Sequence, residues 1–146
     1  MLDIEKSIAR LIANYSSAVH AKDVDAFARL YDPKARVFDA WGVWLYDGLE
    51  PWRRAVEAWF TSLGTERVKV TFEEVQSSGT SECAVVSAIA TYAGFTVEGK
   101  SLRSMQNRLT WGLKTSGHVL RIIHEHTSSP VGFDDMKAIL VRKSSS

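Results

Sequence analysis

Apolar residues recur at helical spacing through the first thirty residues of the chain. In residues 3–22 they return every three or four positions, which predicts an amphipathic helix with Asp3 as its N-cap. Asp23 is a second N-cap residue, and the apolar positions after it predict a shorter helix that runs through Tyr31 and ends at Pro33. We expect these two helices to form a hairpin.

Helical spacing returns between Pro51 and Gly64. Proline suits the first turn of a helix, and glycine suits the position just after its end. The apolar stripe between them includes Trp52 and Trp59, with charged residues on the opposite face. A third helix is therefore predicted, with both tryptophans in the core.

Residues 35–41 lie between the second and third helices and alternate in the manner of a strand. Asp39 falls on the same face as Val37 and Trp41. If this face is turned inward, Asp39 is a carboxylate among apolar groups, and loss of hydration raises its pKa. A short return strand is predicted at residues 44–46.

After residue 64 the period changes from that of helices to that of strands. Successive strands and one short helix are predicted at residues 67–72, 83–92, 102–113, 118–130 and, for the helix, 133–141. Helices followed by an antiparallel meander indicate an α+β domain, most simply a curved sheet wrapped around the helices. We predict one domain over residues 1–132 and a C-terminal extension, a short helix and then a frayed tail, over residues 133–146.

Two of the predicted strands carry polar groups on a largely apolar face. The first presents, on one face, Arg103, Met105, Asn107, Leu109 and Trp111. The last begins apolar and ends in two imidazoles, with Leu120, Ile122, His124 and His126 on one face. A face that is apolar at one end and polar at the other is typical of a pocket with an open mouth.

Composition and charge narrow the classes of partner. Of the 146 residues, 45% are hydrophobic and 24% charged, and the formal net charge is +1. The chain has no broad cationic field, so neither nucleic acid nor an anionic membrane is expected as a partner. The single cysteine, Cys83, cannot form an internal disulfide. We expect a cytoplasmic protein.

Four stretches resemble one known family: Tyr15, Ala21–Tyr31, Ala35–Gly42 and His124–Pro130 are similar to the SnoaL-like branch of the NTF2-like superfamily. The resemblance implies a cone of curved antiparallel sheet closed by three helices in the N-terminal half, with a ligand pocket in the cone and frequent dimers through the sheet. The superfamily includes isomerases, cyclases, dehydratases, transport adaptors and oligomerisation hubs, so the fold alone does not choose among functions.

Within that superfamily, the helices and first strand are most similar to ketosteroid isomerase. The resemblance implies that Tyr15 is an oxyanion donor and Asp39 the base that moves the proton. The enzyme's second oxyanion residue, an aspartic acid, corresponds here to Asn107, or to Gln106 with a shift of one residue. An amide donates a hydrogen bond without the acidity of a carboxylic acid, which argues against steroid isomerisation specifically.

The ending His-x-His-x-Ser-x-x-Pro is instead similar to the association domain of calmodulin-dependent kinases, in which the fold serves assembly and the pocket is rich in arginine. Arg103 and Arg108 are compatible with that comparison. A metal site would need a third ligand beside the two histidines, and Asp39 is the one attractive inward carboxylate. We therefore expect neither a metal nor a cofactor.

Two hypotheses follow. In the first, the chain is a cofactor-free isomerase, cyclase or dehydratase for a small apolar carbonyl compound, with these catalytic residues: Asp39, Tyr15, Asn107 and His124. The ligand would contact Trp41, Trp44, Arg103, Met105, Trp111 and His126. In the second, the chain is a non-catalytic binding or oligomerisation module, in which Arg103 and the two histidines hold a carboxylate-bearing ligand. A homodimer through the sheet is expected in either case.

Overall fold

The computed structural model describes residues 3–143. Its elements are α1 (Ile4–Ala21), α2 (Val24–Ala28), β1 (Tyr31–Phe38), β2 (Tyr46–Asp47), α3 (Leu49–Ser62), β3 (Arg67–Gly79), β4 (Cys83–Phe95), β5 (Ser101–Ser116) and β6 (Val119–Ser128). The six strands form one curved sheet in the order β2-β1-β6-β5-β4-β3. All neighbours are antiparallel except β1 and β6, which are parallel. The predicted α+β class, with the helices in the N-terminal half, is confirmed.

Both predicted N-caps of the helix hairpin are present. The side chain of Asp3 accepts a hydrogen bond from the backbone N–H of Lys6 at 3.2 Å, and that of Asp23 accepts one from the N–H of Ala26 at 3.0 Å. Each bond satisfies one of the free donors at a helix start. Among residues 3–143, no helix combines the length and the hydropathy needed to cross a bilayer.

The second helix is shorter than predicted, because its last predicted turn belongs to the sheet. α2 ends at Ala28, and Tyr31 is the first residue of β1. The carbonyl oxygen of Leu30 accepts a hydrogen bond from the backbone N–H of Ile122 on β6 at 2.9 Å. Pairing with a central strand therefore outweighs the helical pattern of the sequence.

Aromatic rings fill the space between the helices and the concave face of the sheet. The ring centroid of Tyr15 on α1 lies 5.2 Å from that of Phe27 on α2 and 5.5 Å from that of Trp111 on β5. Phe27 lies 6.4 Å from Trp52 on α3 and 6.0 Å from Phe60. These contacts join all three helices to the sheet, as the apolar stripes of the sequence predict.

A bulge in β6 reverses the face on which its second half points. Leu113 of β5 is paired with Ile122, but the preceding Gly112 is paired with His124, so Ile123 is an extra residue. Alternation restarts one position later, and Glu125 is buried while His126 is exposed. Because side chains alternate with a period of two, one extra residue exchanges the two faces of the strand.

The C-terminal segment, residues 131–143, does not form the predicted helix. It makes a turn closed by an isolated bridge between Val131 and Ala138, and then lies against the start of β5. β6 pairs with β5 only from Arg108 onward, so the residues of β5 before Arg108 have no pairing with β6. There the backbone N–H of Gln106 donates to the carbonyl oxygen of Leu140 at 2.6 Å. The predicted frayed tail lies outside the described residues.

Candidate functional site

A cavity of about 660 Å³ lies between the concave face of the sheet, the helices and the C-terminal segment. This volume is within the range of small-molecule sites. Most of its wall is aromatic or aliphatic, and its polar members are few. The lining residues are Tyr15, Phe27, Asp39, Trp41, Gly42, Tyr46, Trp52, Ala55, Val56, Trp59, Leu63, Val68, Tyr92, Gly94, Arg103, Ser104, Met105, Asn107, Glu125 and Leu140.

Asp39 faces this cavity from the residue just after β1, on the face that the sequence pattern predicts. Its Oδ1 accepts a hydrogen bond from the hydroxyl of Thr127 at 3.1 Å, and its Oδ2 accepts one from the backbone N–H of Trp41 at 3.4 Å. Burial raises the pKa of Asp39, and the hydrogen bonds from Thr127 and the backbone partly oppose that rise. Asp39 is thus a carboxylate whose orientation is fixed by hydrogen bonds and whose pKa is raised.

Tyr15 and Tyr92 form a hydroxyl pair in the cavity wall, with their oxygens 2.8 Å apart. Burial, and after it the charge of neighbouring groups, raises the pKa of both phenols well above the ordinary value. Both are therefore neutral at physiological pH. One hydroxyl donates to the other, and the second can donate its hydrogen to a further acceptor. Tyr92 is a residue that the sequence reasoning missed.

Asn107, rather than Gln106, is turned to the cavity. The amide of Gln106 is used on the other face, where Nε2 donates to the hydroxyl of Thr91 at 3.1 Å and Oε1 accepts from the backbone N–H of Arg142 at 2.7 Å. Asn107 is 8% exposed, and its Oδ1 is buried without a hydrogen-bond partner among residues 3–143. An unpaired buried acceptor costs about 1–3 kcal/mol. Asn107 thus brings an unpaired acceptor to the residues that line the cavity.

Glu125 is the second residue that the sequence reasoning missed. It is 1% exposed, and its Oε1 accepts hydrogen bonds from the hydroxyl of Tyr31 at 2.6 Å and from Nε1 of Trp111 at 2.9 Å. Burial raises the pKa of Glu125 to about 7, although both hydrogen bonds favour the charged form. The available signal was Gly112 inside a strand, because an interior glycine often marks a bulge in the pairing.

The two histidines do not line the cavity, so the prediction that they share its face is wrong. The bulge at Ile123 turns them to the convex face of the sheet. There Nδ1 of His124 is 2.7 Å from the carbonyl oxygen of Arg36, and the two imidazoles lie 4.9 and 5.6 Å from the ring of Phe38. Within residues 3–143, no group of three His, Cys, Asp or Glu side chains is arranged to hold a metal ion.

The predicted ligand contacts divide into two groups. Trp41, Arg103 and Met105 line the cavity, and Arg103 forms an ion pair with Glu66 at 2.6 Å instead of with Asp39. The structure does not bring Trp44 and Trp111 to the cavity wall: Trp44 is 94% exposed, and Trp111 is buried with its indole N–H on Glu125. Trp44 lies in the loop between β1 and β2, where strand alternation no longer applies.

These groups suit proton transfer at carbon. A carboxylate with a raised pKa can remove a proton next to a carbonyl group, and a neutral hydroxyl can hold the oxyanion that forms. The apolar wall strengthens both interactions by excluding water.

The chain belongs to the SnoaL-like family, whose domain model matches residues 8–132. No curated protein matches it in sequence. Solved structures share its fold. An NTF2-like protein of unknown function from Pseudomonas putida is 20% identical with a TM-score of 0.82, and the match covers 97% of this chain and 96% of that one.

Two further structures with the same fold carry names that point to different functions. A protein from Xanthomonas campestris, named for the association domain of calcium/calmodulin-dependent protein kinase II, is 19% identical with a TM-score of 0.71 over 83% of this chain and 84% of that one. A protein from Novosphingobium aromaticivorans, named as an aromatic ring hydroxylase, is 16% identical with a TM-score of 0.67 over 88% and 91%. At these identities the likeness shows the fold alone.

Proposed function

We propose that the chain is an enzyme that moves a proton on a small, largely apolar carbonyl compound in the cavity, as an isomerase, cyclase or dehydratase without a cofactor. The observation that carries this proposal is the carboxylate of Asp39, which faces an apolar cavity of about 660 Å³ and has its pKa raised by burial. Asp39 is half-buried and loses hydration beside an apolar wall, and carboxylates with a perturbed pKa are concentrated at functional sites.

In the proposed reaction, Asp39 takes a proton from the carbon next to the carbonyl group. The free hydroxyl hydrogen of the Tyr15 and Tyr92 pair donates to the carbonyl oxygen and stabilises the enolate. Thr127 holds the carboxylate of Asp39 in one orientation. His124 has no part in this mechanism because its ring lies on the other face of the sheet.

Exchange of carbon-bound hydrogen for deuterium tests the proposal without knowledge of the product. The purified protein is incubated in D₂O with a panel of cyclic and aryl ketones, and loss of the α-proton signal is followed by NMR. We expect exchange with at least one ketone, and a decrease of about 100-fold or more in Asp39→Asn. Binding of the same ketone, followed by tryptophan fluorescence, shows that the variant still has its cavity.

The matched control is Asp47→Asn, which removes an exposed carboxylate on neighbouring β2. His126→Gln is the second control, since it removes an imidazole from the convex face. Both should exchange at the rate of the unmodified protein. Undiminished exchange in Asp39→Asn would refute the role of this carboxylate.

A second candidate is a non-catalytic ligand-binding or oligomerisation module. The likeness to the Xanthomonas protein named for an association domain and the amide of Asn107 in place of an acid favour it. Against it, Arg103 is paired with Glu66 at the surface rather than buried against Asp39. Binding of ketones with no exchange of the α-proton in the unmodified protein would support this candidate, together with a molar mass in light scattering that corresponds to a ring of many subunits.

A further inference from the structure

We infer that Glu125 is a second catalytic residue of the cavity, a general acid, and that the reaction is elimination of water from a β-hydroxy carbonyl compound. The inference rests on the proposed function, because it uses Asp39 as the base. It names the substrate class that the proposed function leaves open.

The sheet brings the two carboxyl groups to one cavity. Parallel pairing of β1 and β6 sets Val37 beside Glu125, and the hydroxyl of Thr127, two residues further along β6, donates to Asp39. Asp39 and Glu125 therefore leave neighbouring strands on the same face, and both line the cavity. The same part of the cavity wall therefore carries both carboxyl groups, one from each of two neighbouring strands.

The surroundings of Glu125 suit a proton donor. Both of its hydrogen bonds, from Tyr31 and Trp111, go to Oε1, which leaves Oε2 to carry the proton. Burial favours the neutral form, and with a pKa of about 7 the acid is populated at neutral pH. Burial also raises the pKa of Asp39, but both of its oxygens accept hydrogen bonds, which favours its charged form and the role of base.

Asn107 supplies the recognition of the hydroxyl group. Its Oδ1 is buried without a partner among residues 3–143 and lies in the cavity wall. A substrate hydroxyl that donates its hydrogen to this oxygen turns a lone pair away from Asn107 and toward an acid. A simple ketone has no donor for Oδ1, so it would leave this acceptor unpaired.

The step balances with these groups alone. Asp39 removes the α-proton, and the electrons of that C–H bond form the new C=C bond. The bond between the β-carbon and the hydroxyl oxygen breaks, and the oxygen takes the proton of Glu125 and leaves as water. Asp39 is then protonated and Glu125 charged, and exchange with solvent water restores both. Isomerisation would need Asp39 alone, since one base can return the same proton to another carbon, whereas elimination also needs the acid.

The test compares elimination with α-proton exchange in the same protein. Aryl β-hydroxy ketones are the probes for elimination, followed by the ultraviolet absorbance of the enone product, and the matching ketones without the hydroxyl are the probes for exchange. We expect Glu125→Gln to slow elimination by about 100-fold, at least ten times more than it slows exchange, and to remove the alkaline limb of the pH profile near 7. Glutamine keeps an oxygen acceptor for Tyr31 and Trp111, and exposed Glu98→Gln is the control.

A second variant gives an independent measurement. Asn107→Ala should raise the KM for the hydroxy ketones more than that for the plain ketones, because only the former lose a hydrogen bond. If Glu125→Gln slows both reactions equally, or neither, Glu125 is structural and the inference is overturned. Exchange without elimination in the unmodified protein also overturns it. If the unmodified protein catalyses no exchange at all, the proposed function itself fails.

Discussion

The pH dependence of stability is set in part by Glu125, and Glu125→Gln isolates its contribution. The group has an ordinary pKa of 4.5 and a pKa of about 7 in the folded protein. Because the folded value is higher, the folded protein keeps this proton over a pH range in which the unfolded chain has lost it. The stabilising effect is complete below the unfolded value, falls as the pH rises toward the folded value, and is lost above it.

The size of the effect follows from the difference between the two pKa values of Glu125, 4.5 and about 7. One pKa unit corresponds to about 1.4 kcal/mol, so the full effect is about 3 kcal/mol. For a domain whose total stability is of order 5–15 kcal/mol, this is a large fraction. Glutamine is neutral throughout, so the variant should lack this part of the pH dependence.

The measurement is urea unfolding of both proteins at several values between about pH 4 and about pH 8. The free energy of unfolding of Glu125→Gln, minus that of the unmodified protein, should rise by about 3 kcal/mol across this range. Asp39, whose pKa burial also raises, contributes with the same sign in both proteins, and the difference also contains its charge interaction with Glu125. The exposed control Glu98→Gln should show no such rise. A difference that stays constant with pH would refute the raised pKa of Glu125 and weaken the case for its acid role.

Three further predictions concern other parts of the molecule. Gly79→Ala should lower the free energy of unfolding by more than about 2 kcal/mol, because the new Cβ would overlap the backbone of β4 and φ is +148°. The control is Gly99→Ala, which has a φ of +89° and open space around it, and it should lower the free energy of unfolding by only about 1 kcal/mol. Leu140→Ala should weaken ketone binding several-fold in calorimetry because Leu140 lines the cavity, whereas Met136→Ala on the exposed turn should not. Tyr31→Phe should raise the pKa of Glu125 further, since it removes a hydrogen bond to the charged form, and a ¹³C NMR titration of the carboxyl group measures that change.

The sequence predicted the inward faces of β1 and β5 correctly because alternation is regular from Ala35 to Phe38 and from Asn107 to Leu113. Asp39 continues the inward face that begins with Ala35 and Val37, and Asn107 shares a face with Leu109 and Trp111. In each case the buried neighbours are large or tightly enclosed, so a shift of one residue would expose them. The inward position of Asp39 and Asn107 could therefore be predicted from spacing, whereas their proposed roles came from the family resemblance.

The sequence could not predict the face of the second half of β6, and this is why Glu125 was missed. Ile122 and Ile123 are both apolar, so either could be the inward residue, and hydrophobicity gives no preference between them. The choice is made by the partner strand, in which Leu113 is paired with Ile122 and Gly112 with His124, so that Ile123 is the extra residue. Gly112 marks this bulge, but it lies on the partner strand, so the alternation within β6 itself does not carry the signal.

The C-terminal segment differs from its predicted helix for a related reason. Met136, Ile139 and Leu140 have helical spacing, yet Leu140 is bound by a free edge of β5 and Met136 is left exposed. The C-terminal segment binds where β5 extends beyond β6. The extent of this overhang depends on the pairing of the whole sheet. Apolar spacing over so short a segment did not decide between the two outcomes.

The extra residue in β6 also has an evolutionary meaning. Loss of Ile123 as a single codon would leave the pairs Leu113–Ile122 and Gly112–His124 with no extra residue between them, so alternation would become regular while Glu125 and Thr127 still face inward. The rest of the wall, including Asp39 on β1, would keep its place. Both lengths of β6 are thus compatible with the same cavity wall, and a lineage with this sheet can gain or lose a residue at this point without changing the groups that line the cavity.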